Sequence, residues 1–506
     1  MPRRSSDKQP REGQGRKPRR QAPEESGAPI VPKKSGNLRV TPWDSMEGRG
    51  AAKGKLAQRN VLRTQGRVGT PTNLERVGQK AKQEKGVRFS NLLCHIKVPL
   101  LQQAYESLRK DAAPGVDGMS WREYGEGLDA RLRDLQDRVH RGNYHPQPVR
   151  RVYIPKGDGR SRPLGIPAVE EKVVQQAVRM VLEPIYERVF MGFSYGFRPG
   201  RSQHRALDAL AVAIGKKVNW VLDADIRAFF DKINFGWMQR FLEHRIADRR
   251  LVRLLMKWLR AGVMEEGKFQ HVETGTPQGG VISPLLANIY LHYVLDLWAH
   301  DWRKKRAQGD VYIVRYADDV VMGFKSHRDA LAMRKALAER LAKFGLELHP
   351  EKTRILSFGR YAWNRCERAG LNKPETFDFL GFTHICSRDK RGWFRLLRHT
   401  SRKKRQAKLA EVRQELRRRR HAPLMDTQRW LNSVLRGHFN YYGVPGNERG
   451  LWTFWLHAQD AWYRQLQRRS QRAELSVRNK QNIERRFPLL KPRITHPWPE
   501  QRFAGP

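Results

Sequence analysis

Three aspartates stand where they could hold hard divalent cations. Asp225 ends the run Trp220-Val221-Leu222-Asp223-Ala224-Asp225-Ile226, and Asp318-Asp319 lies inside an otherwise apolar stretch from Val311 to Phe324. The first run reads as a strand with an acidic end. The second reads as a hairpin with carboxylates at its tip. Flanks this apolar make adjacent carboxylates costly unless a cation neutralises them. Mg²⁺ favours carboxylate and phosphate oxygens, and phosphoryl transfer from a nucleotide uses two such ions roughly 3.5–4 Å apart. The protein must then gather two or three Asp from different strands. A solvated turn could also carry an Asp-Asp pair, so the pair alone decides nothing. Asp223 shares a strand face with Asp225 and competes with it.

The charge balance points to a polyanionic partner. The 506 residues include 99 Lys and Arg against 51 Asp and Glu, a net +48. Self-repulsion of that size suits nucleic-acid binding, and the 14 Trp and 14 Tyr supply packing and stacking surfaces. Cys94, Cys366 and Cys386 form no Cys-x-x-Cys pair, which argues against a zinc finger or disulfide framework. The most apolar run, Val281 to Trp298, is interrupted by Ser283, Asn288, His292 and Asp296. No membrane span or signal core is expected.

Residues 1–88 hold 22 Lys/Arg and 8 Asp/Glu and read as a basic, mostly disordered arm, with a short ordered piece around Leu38–Met46. Residues 89–386 carry the strand and helix signals: helices over Leu92–Leu108, Trp121–Val139 and Glu170–Tyr186, and a hairpin from Arg150–Pro155 to Arg162–Ile166. Residues 387–506 hold 29 Lys/Arg and 9 Asp/Glu and read as a separate basic helical region, with helices over Ser401–Arg420 and Thr427–Tyr442.

Tyr316-Ala317-Asp318-Asp319 after an apolar strand resembles the Tyr-x-Asp-Asp box of reverse transcriptases. Asp225-Ile226-Arg227-Ala228-Phe229-Phe230-Asp231 resembles their first carboxylate motif, and Gly275-Thr276-Pro277-Gln278-Gly279-Gly280 resembles the Pro-Gln-Gly motif between them. In order and spacing these are similar to group II intron-encoded reverse transcriptase/maturases, over roughly residues 90 to 495. Other blocks fit the same family: Pro114–Gly118, Ile154–Ile166, Tyr195–Ser202, Gly345–Thr353, Phe379–Phe382 and Arg436–Gly443.

The resemblance implies an α+β right-hand polymerase. Fingers and a palm with an antiparallel sheet would carry the carboxylates, followed by an α-helical thumb/maturase domain. It implies Asp225, Asp318 and Asp319 as catalytic metal ligands for two Mg²⁺ ions, with the Ile226 carbonyl adding an oxygen and Asp231 structural. Phe230 becomes a ring that excludes a 2′-hydroxyl and so selects dNTPs. Lys156 and Arg162 flank the fingers turn, where cations could meet a triphosphate. Gln278 and Gly279 lie before a helix, where backbone can approach a nucleotide or template base closely. Lys352 could protonate the leaving pyrophosphate. Phe379, Leu380 and Gly381 correspond to the primer grip. Arg402, Lys403, Lys404, Arg417, Arg418, Arg419, Arg420 and Arg436 are the expected RNA contacts of the basic region.

The expected partners are group II intron RNA, an RNA template with a DNA primer, dNTPs and target DNA, in the bacterial cytoplasm and without a membrane. The family's C-terminal Cys/His nuclease pattern is missing, which points to a nascent strand at a replication fork as primer. Two other readings compete: a retron- or CRISPR-associated reverse transcriptase, and a splicing-only RNA-binding cofactor. The intact carboxylates speak against the cofactor reading, and the Arg436–Gly443 block favours the intron class. Ala317 and Phe230 depart from the Gly-Asp-Asp and small gate of RNA-dependent RNA polymerases.

Overall fold

The computed structural model describes residues 73–84, 86–155, 161–265, 268–270, 274–275, 279–469 and 476–503. Lys156, Gln278, the side chain of Arg162 and the Leu38–Met46 segment lie outside the described residues. Among the described residues no helix is long and apolar enough to cross a membrane.

Eleven strands occur among these residues: β1 (Val149–Pro155), β2 (Ser161–Ile166), β3 (Trp220–Ala224), β4 (Val263–Glu265), β5 (Lys268–Gln270), β6 (Val311–Tyr316), β7 (Asp319–Phe324), β8 (Arg354–Ser357), β9 (Phe377–Phe379), β10 (Phe382–Arg388) and β11 (Phe394–Thr400). They form three sheets, ordered β2-β1-β4-β5, β6-β7-β3-β8 and β11-β10-β9. The second sheet is antiparallel throughout. The fold is α+β.

That sheet is buried on both faces because its strands are apolar in both registers of the two-residue alternation. Leu222, Ala224, Ile313 and Met322 enter one core with Val173, Leu286 and Met333. Val221, Val314 and Val321 enter another with Leu207 and Leu210 of the Gln203–Lys216 helix and with Phe379 and Phe382. A third core, containing Leu409, Leu416, Leu431, Phe454 and Trp462, unites the helices Arg402–Arg418, Leu424–Tyr442 and Glu448–Gln467.

The structure corrects three expectations. A helix at Asn73–Gln83 places ordered chain inside the supposed arm, with its Gly78 against Pro184. The expected Trp121–Val139 helix divides into Trp121–Gly125 and Leu128–Arg141, because Gly127 takes φ +67, a conformation that glycine adopts at little cost. The basic helical region begins at Arg402 instead of residue 387, since β10 and β11 pair from Phe382–Thr400 to Arg388–Phe394.

The Val169–Tyr186 helix is buried along most of its length and supports the segment leading into the Ser283–Leu291 helix: Ile282 N–H donates to Gln175 Oε1 at 3.4 Å. One turn earlier, Glu171 is buried. Its carboxylate accepts from Gln147 N–H at 3.1 Å and Trp258 Nε1–H at 2.9 Å. Burial outweighs these donors and pushes its carboxyl up to about 7 from 4.5. A folded-state pKa above the unfolded one means that the protonated carboxyl is favoured in the fold. This contribution is fully present below about pH 4.5 and lost as pH rises through 7, on the order of 3 kcal/mol. Glu171→Gln is expected to flatten the fall in thermal midpoint between pH 5 and pH 8, read by a melting series at stepped pH. An unchanged slope would refute a neutral Glu171.

Candidate active site

The register of the central sheet brings the aspartates together. Ala224, the last residue of β3, pairs with Val320 of β7. Extended by one residue, that register sets Asp225 across from Asp319. The β6–β7 hairpin closes with Tyr316 opposite Asp319, so Ala317-Asp318 is its two-residue turn and Asp318 sits at the tip. Such turns require left-handed backbone, and Ala317 adopts φ +56. A residue with a Cβ accepts this at a cost of roughly 1–2 kcal/mol.

The Gly345–Thr353 block wraps Asp225. His349 N–H donates to the Asp225 carbonyl at 2.7 Å, and Asp225 N–H donates to Thr353 Oγ1 at 3.4 Å. Ile226, with its side chain buried, bridges to Leu348, leaving its backbone carbonyl as the donor this residue can offer. Lys352 Nζ lies 2.8 Å from Asp225 Oδ2. The residue expected to act on pyrophosphate is therefore paired with a carboxylate of the site.

The electrostatics fit a cation. Desolvation first, and then the charges of Asp318, Asp225 and Asp223, push the Asp319 carboxyl up to about 7, with Lys352 opposing. The residue nevertheless remains open to solvent at the hairpin end. Burial, with Asp225 and Asp378 beside it, raises Asp223 to about 6 against the pull of Arg354. Hard carboxylate oxygens crowded this way are the donor set that Mg²⁺ selects. Among the described residues no three acidic, His or Cys side chains come together closely enough to hold a metal ion by themselves. A site that completes its coordination with substrate phosphates and water needs no such cage.

Phe230 sits in the short turn Phe229–Lys232, half-buried, with its ring edge-on to Phe229 at 5.2 Å between centroids. The glycine loop braces this turn. Gly275 N–H donates to the Ile233 carbonyl at 2.8 Å, and a Cβ on Gly275 would meet Phe230 O at 2.9 Å. At the loop's other end Gly279 has φ +122 and packs on the Gly165 carbonyl of β2, where a Cβ would collide. Arg162 lies on β2, opposite Ile154. The fingers hairpin, the glycine loop and the Phe230 turn are thus adjacent.

The Phe379–Phe382 block is a tight turn between β9 and β10. Leu380 at φ +48 and Gly381 at φ +80 form it, with Phe379 paired to Phe382. Tyr441 O–H donates to the Leu380 carbonyl at 2.9 Å and Ser401 N–H donates to the Gly381 carbonyl at 3.0 Å. The expected primer grip is thereby tied to the end of the Leu424–Tyr442 helix.

The expected RNA-facing residues separate into two groups. Arg402, Lys403, Lys404, Arg417, Arg418 and Arg436 are exposed. Arg419 and Arg420 are half-buried: Arg419 bonds Glu415 at 2.8 Å and stacks over Trp430, and Arg420 donates to Gln465 Oε1 at 3.3 Å. These two brace the helices, which leaves Arg417 and Arg418 as the more open cations of the Arg417–Arg420 stretch.

Sequence reasoning missed what holds the Ala317-Asp318 turn. Arg315 is wholly buried behind it, paired with Asp296 at 2.7 and 2.6 Å. The same guanidinium donates to Asn288 Oδ1 at 3.0 Å, the Ala317 carbonyl at 2.9 Å and Ser194 Oγ at 2.7 Å. Asn288 in turn donates to the Gly196 carbonyl at 2.8 Å, and Gly196 packs against the Ala317 backbone. Asn288 and Asp296 are eight residues apart on one continuous helical stretch, roughly 80° out of phase in an unbroken α-helix. A π-helical turn over His292–Asp296 inserts the extra residue that returns them to within roughly 20°. The polar breaks in the apolar run from Val281 to Trp298 were the available signal.

A catalytic-type carboxylate cluster on an antiparallel sheet, flanked by a fingers hairpin and a glycine loop, defines a template-copying polymerase. Residues 154–384 match the family model described as reverse transcriptase (RNA-dependent DNA polymerase). The chain is 36% identical over 315 residues to protein YkfC of Escherichia coli, covering 54% of this chain and 81% of that protein. It is also 36% identical over 221 residues to the group II intron-encoded protein LtrA of Lactococcus lactis, covering 43% of this chain and 37% of that protein. With the mitochondrial nuclear intron maturase 3 of Arabidopsis thaliana it shares 28% identity over 217 residues, covering 37% of this chain and 30% of that protein. The chain is a reverse transcriptase, an RNA-directed DNA polymerase. Within that class it belongs to the group II intron-encoded reverse transcriptase/maturase family.

Proposed function

We propose that this chain extends a DNA primer along an RNA template with dNTPs, using two Mg²⁺ ions held by Asp225, Asp318, Asp319 and the Ile226 carbonyl. In the bacterial cytoplasm it also binds and helps to splice its own group II intron RNA, and acts on target DNA when the intron moves. The observation that carries the copying reading is the register that sets Asp225 across from Asp319. When bound, the ions supply charge stabilisation to the attacking and leaving oxygens.

The chain's own residues do the rest. Lys156 and Arg162 receive the triphosphate, and the loop at Gln278 and Gly279 lets backbone approach the nucleotide. Lys352, already beside Asp225, holds a proton at Nζ for the departing pyrophosphate. Phe379, Leu380 and Gly381 seat the primer end, and the helices from Arg402 to Gln467 serve as thumb and RNA platform.

Phe230 sets sugar choice. Its braced turn leaves the ring little room to retreat, so a 2′-hydroxyl is excluded by contact. Phe230→Val is expected to raise rNTP incorporation relative to dNTP by about tenfold or more, since an avoided steric clash of 1–3 kcal/mol converts to that range. The check is single-nucleotide extension with each sugar, and unchanged selectivity in a folded variant would make Phe230 only a core residue.

The splicing reading rests on the exposed cations of the helical region. Charge-reversing Arg417→Glu and Arg418→Glu together is expected to weaken intron binding by several-fold to a hundredfold, because each lost phosphate contact also retains its counterions. The assay is splicing of the encoding intron at near-physiological Mg²⁺. Normal splicing by this variant would place the RNA on another surface.

A further inference from the structure

We propose that the cavity between the β10–β11 hairpin and the segment at Trp498 is a docking site for an unpaired stretch of RNA, separate from the copying cleft. The proposal rests on the functional reading above only for the choice of RNA over DNA.

The cavity holds about 450 Å³. Trp363, Trp393, Trp498, Arg360, Arg388 and Arg395 line it, and Glu500 is the one acidic residue among its described lining residues. Three indole rings beside three guanidinium groups offer what a single strand presents: flat bases to stack and phosphates to neutralise. Tryptophan is costly to leave in water, yet Trp393 is 69% exposed and Trp498 43%. An exposed apolar group rimmed by cations marks an interaction surface.

The rings and cations are held ready. Asp389 Oδ1 accepts from both Arg391 N–H and Trp393 N–H at 2.9 Å, and Asp389 N–H donates to the Trp393 carbonyl at 2.9 Å. That braced turn presents the Trp393 ring on a stiff backbone. Arg388 lies over the Trp363 ring at 5.6 Å and Arg395 over the Trp498 ring at 5.1 Å. Stacking on a ring orients a guanidinium without neutralising it. The ion pair of Arg388 with Glu367, at 3.4 Å, is solvent-exposed and weak. By contrast Arg398 at the cavity floor is neutralised by Asp208 at 2.6 Å and serves the fold.

A concavity of this size admits splayed bases but not the width of a duplex, and single strands are the form in which bases are free to stack on aromatic rings. None of its lining residues belongs to the carboxylate cluster, the Phe230 turn or the glycine loop. RNA seated here is therefore held outside the copying register, as a folded RNA would be when one of its loops anchors the protein.

The test uses the full chain and a short oligouridylate, at a salt concentration that suppresses phosphate-only binding. Ultraviolet cross-linking with peptide mapping is expected to place uridine on Trp393 or Trp498. The variant Trp393→Ala/Trp498→Ala is expected to lose about tenfold or more in affinity, at 1–3 kcal/mol per stacked base. It should keep normal extension of a preannealed primer-template. Both rings are substantially exposed, so the variant folds, and its melting curve verifies this. The proposal is overturned if cross-links avoid this cavity, if affinity is unchanged, if a matching duplex competes as well as the single strand, or if an oligodeoxyuridylate binds there more tightly than the RNA. Primer extension by the unmodified chain is measured in parallel. Its failure would strike the copying reading and leave the cross-link result to stand or fall separately.

Discussion

Asp318→Ala is expected to reduce primer extension about a thousandfold or more. The loss corresponds to several kcal/mol of charge stabilisation at the reacting phosphate, with each 1.36 kcal/mol worth a decade of rate. Asp225→Ala and Asp319→Ala should do the same. The folded chain should tolerate all three, because removing a carboxylate from a crowded acidic cluster relieves repulsion: Asp318, Asp225 and Asp223 all raise Asp319. Thermal midpoints should therefore hold or rise while polymerisation disappears. Splicing of the encoding intron should survive in the same variants, because the RNA's own active site performs that reaction and the protein need only stabilise its fold. Extension at near-normal rate by folded Asp318→Ala would refute the ligand assignment. Loss of splicing together with extension would refute the separation of the two activities.

Replacing Arg315 should cost about 3–5 kcal/mol of stability, the range for stranding one member of a buried ion pair. Arg315→Leu leaves the wholly buried Asp296 without its bidentate partner and Asn288 Oδ1, Ser194 Oγ and the Ala317 carbonyl without a donor. The second effect is catalytic. Ala317 occupies a left-handed conformation, and the Arg315 bond to its carbonyl holds the turn that aims Asp318 and Asp319. Arg315→Leu/Asp296→Leu removes both charges and should recover the part of the stability lost to the stranded Asp296 carboxylate, while Asn288, Ser194 and the Ala317 carbonyl still lack their donor. Extension should remain down by about a hundredfold, the scale of a misplacement near 1 Å. Denaturant midpoints and single-turnover extension rates separate the two effects. A double variant that regained full extension would reduce the network to a stability element.

Much of this was legible in the chain itself. The strand with an acidic end, the Asp-Asp pair between apolar runs and the fingers hairpin are local patterns. Their side chains alternate with a period of two, and the cost of burying charge singles out the acidic positions. Phe230, five residues after Asp225, was legible only through resemblance, since two adjacent phenylalanines look alike in sequence. The structure distinguishes them by burying Phe229 and leaving Phe230 half-buried on the turn braced by Gly275.

What the linear chain could not reveal depends on contacts between distant residues. By type alone Arg315 reads as a strand-edge surface residue, and its burial follows from Asp296, Asn288 and Ser194 arriving from two other elements. The π-turn that brings Asp296 into line leaves no periodic signature, because it changes phase within an apolar run. Arg417–Arg420 reads as one basic stretch, yet helix packing turns Arg419 and Arg420 inward onto Trp430 and Gln465. The tryptophan-arginine cavity draws its walls from positions as far apart as Ala211 and Trp498. Sequence by itself determined which residues carry charge and which strands are apolar, because both are properties of single side chains and their nearest neighbours. Tertiary structure decided which charges are buried, which aspartates face one another and which rings share a cavity, because desolvation and strand register are set by chain segments that meet only when the fold closes.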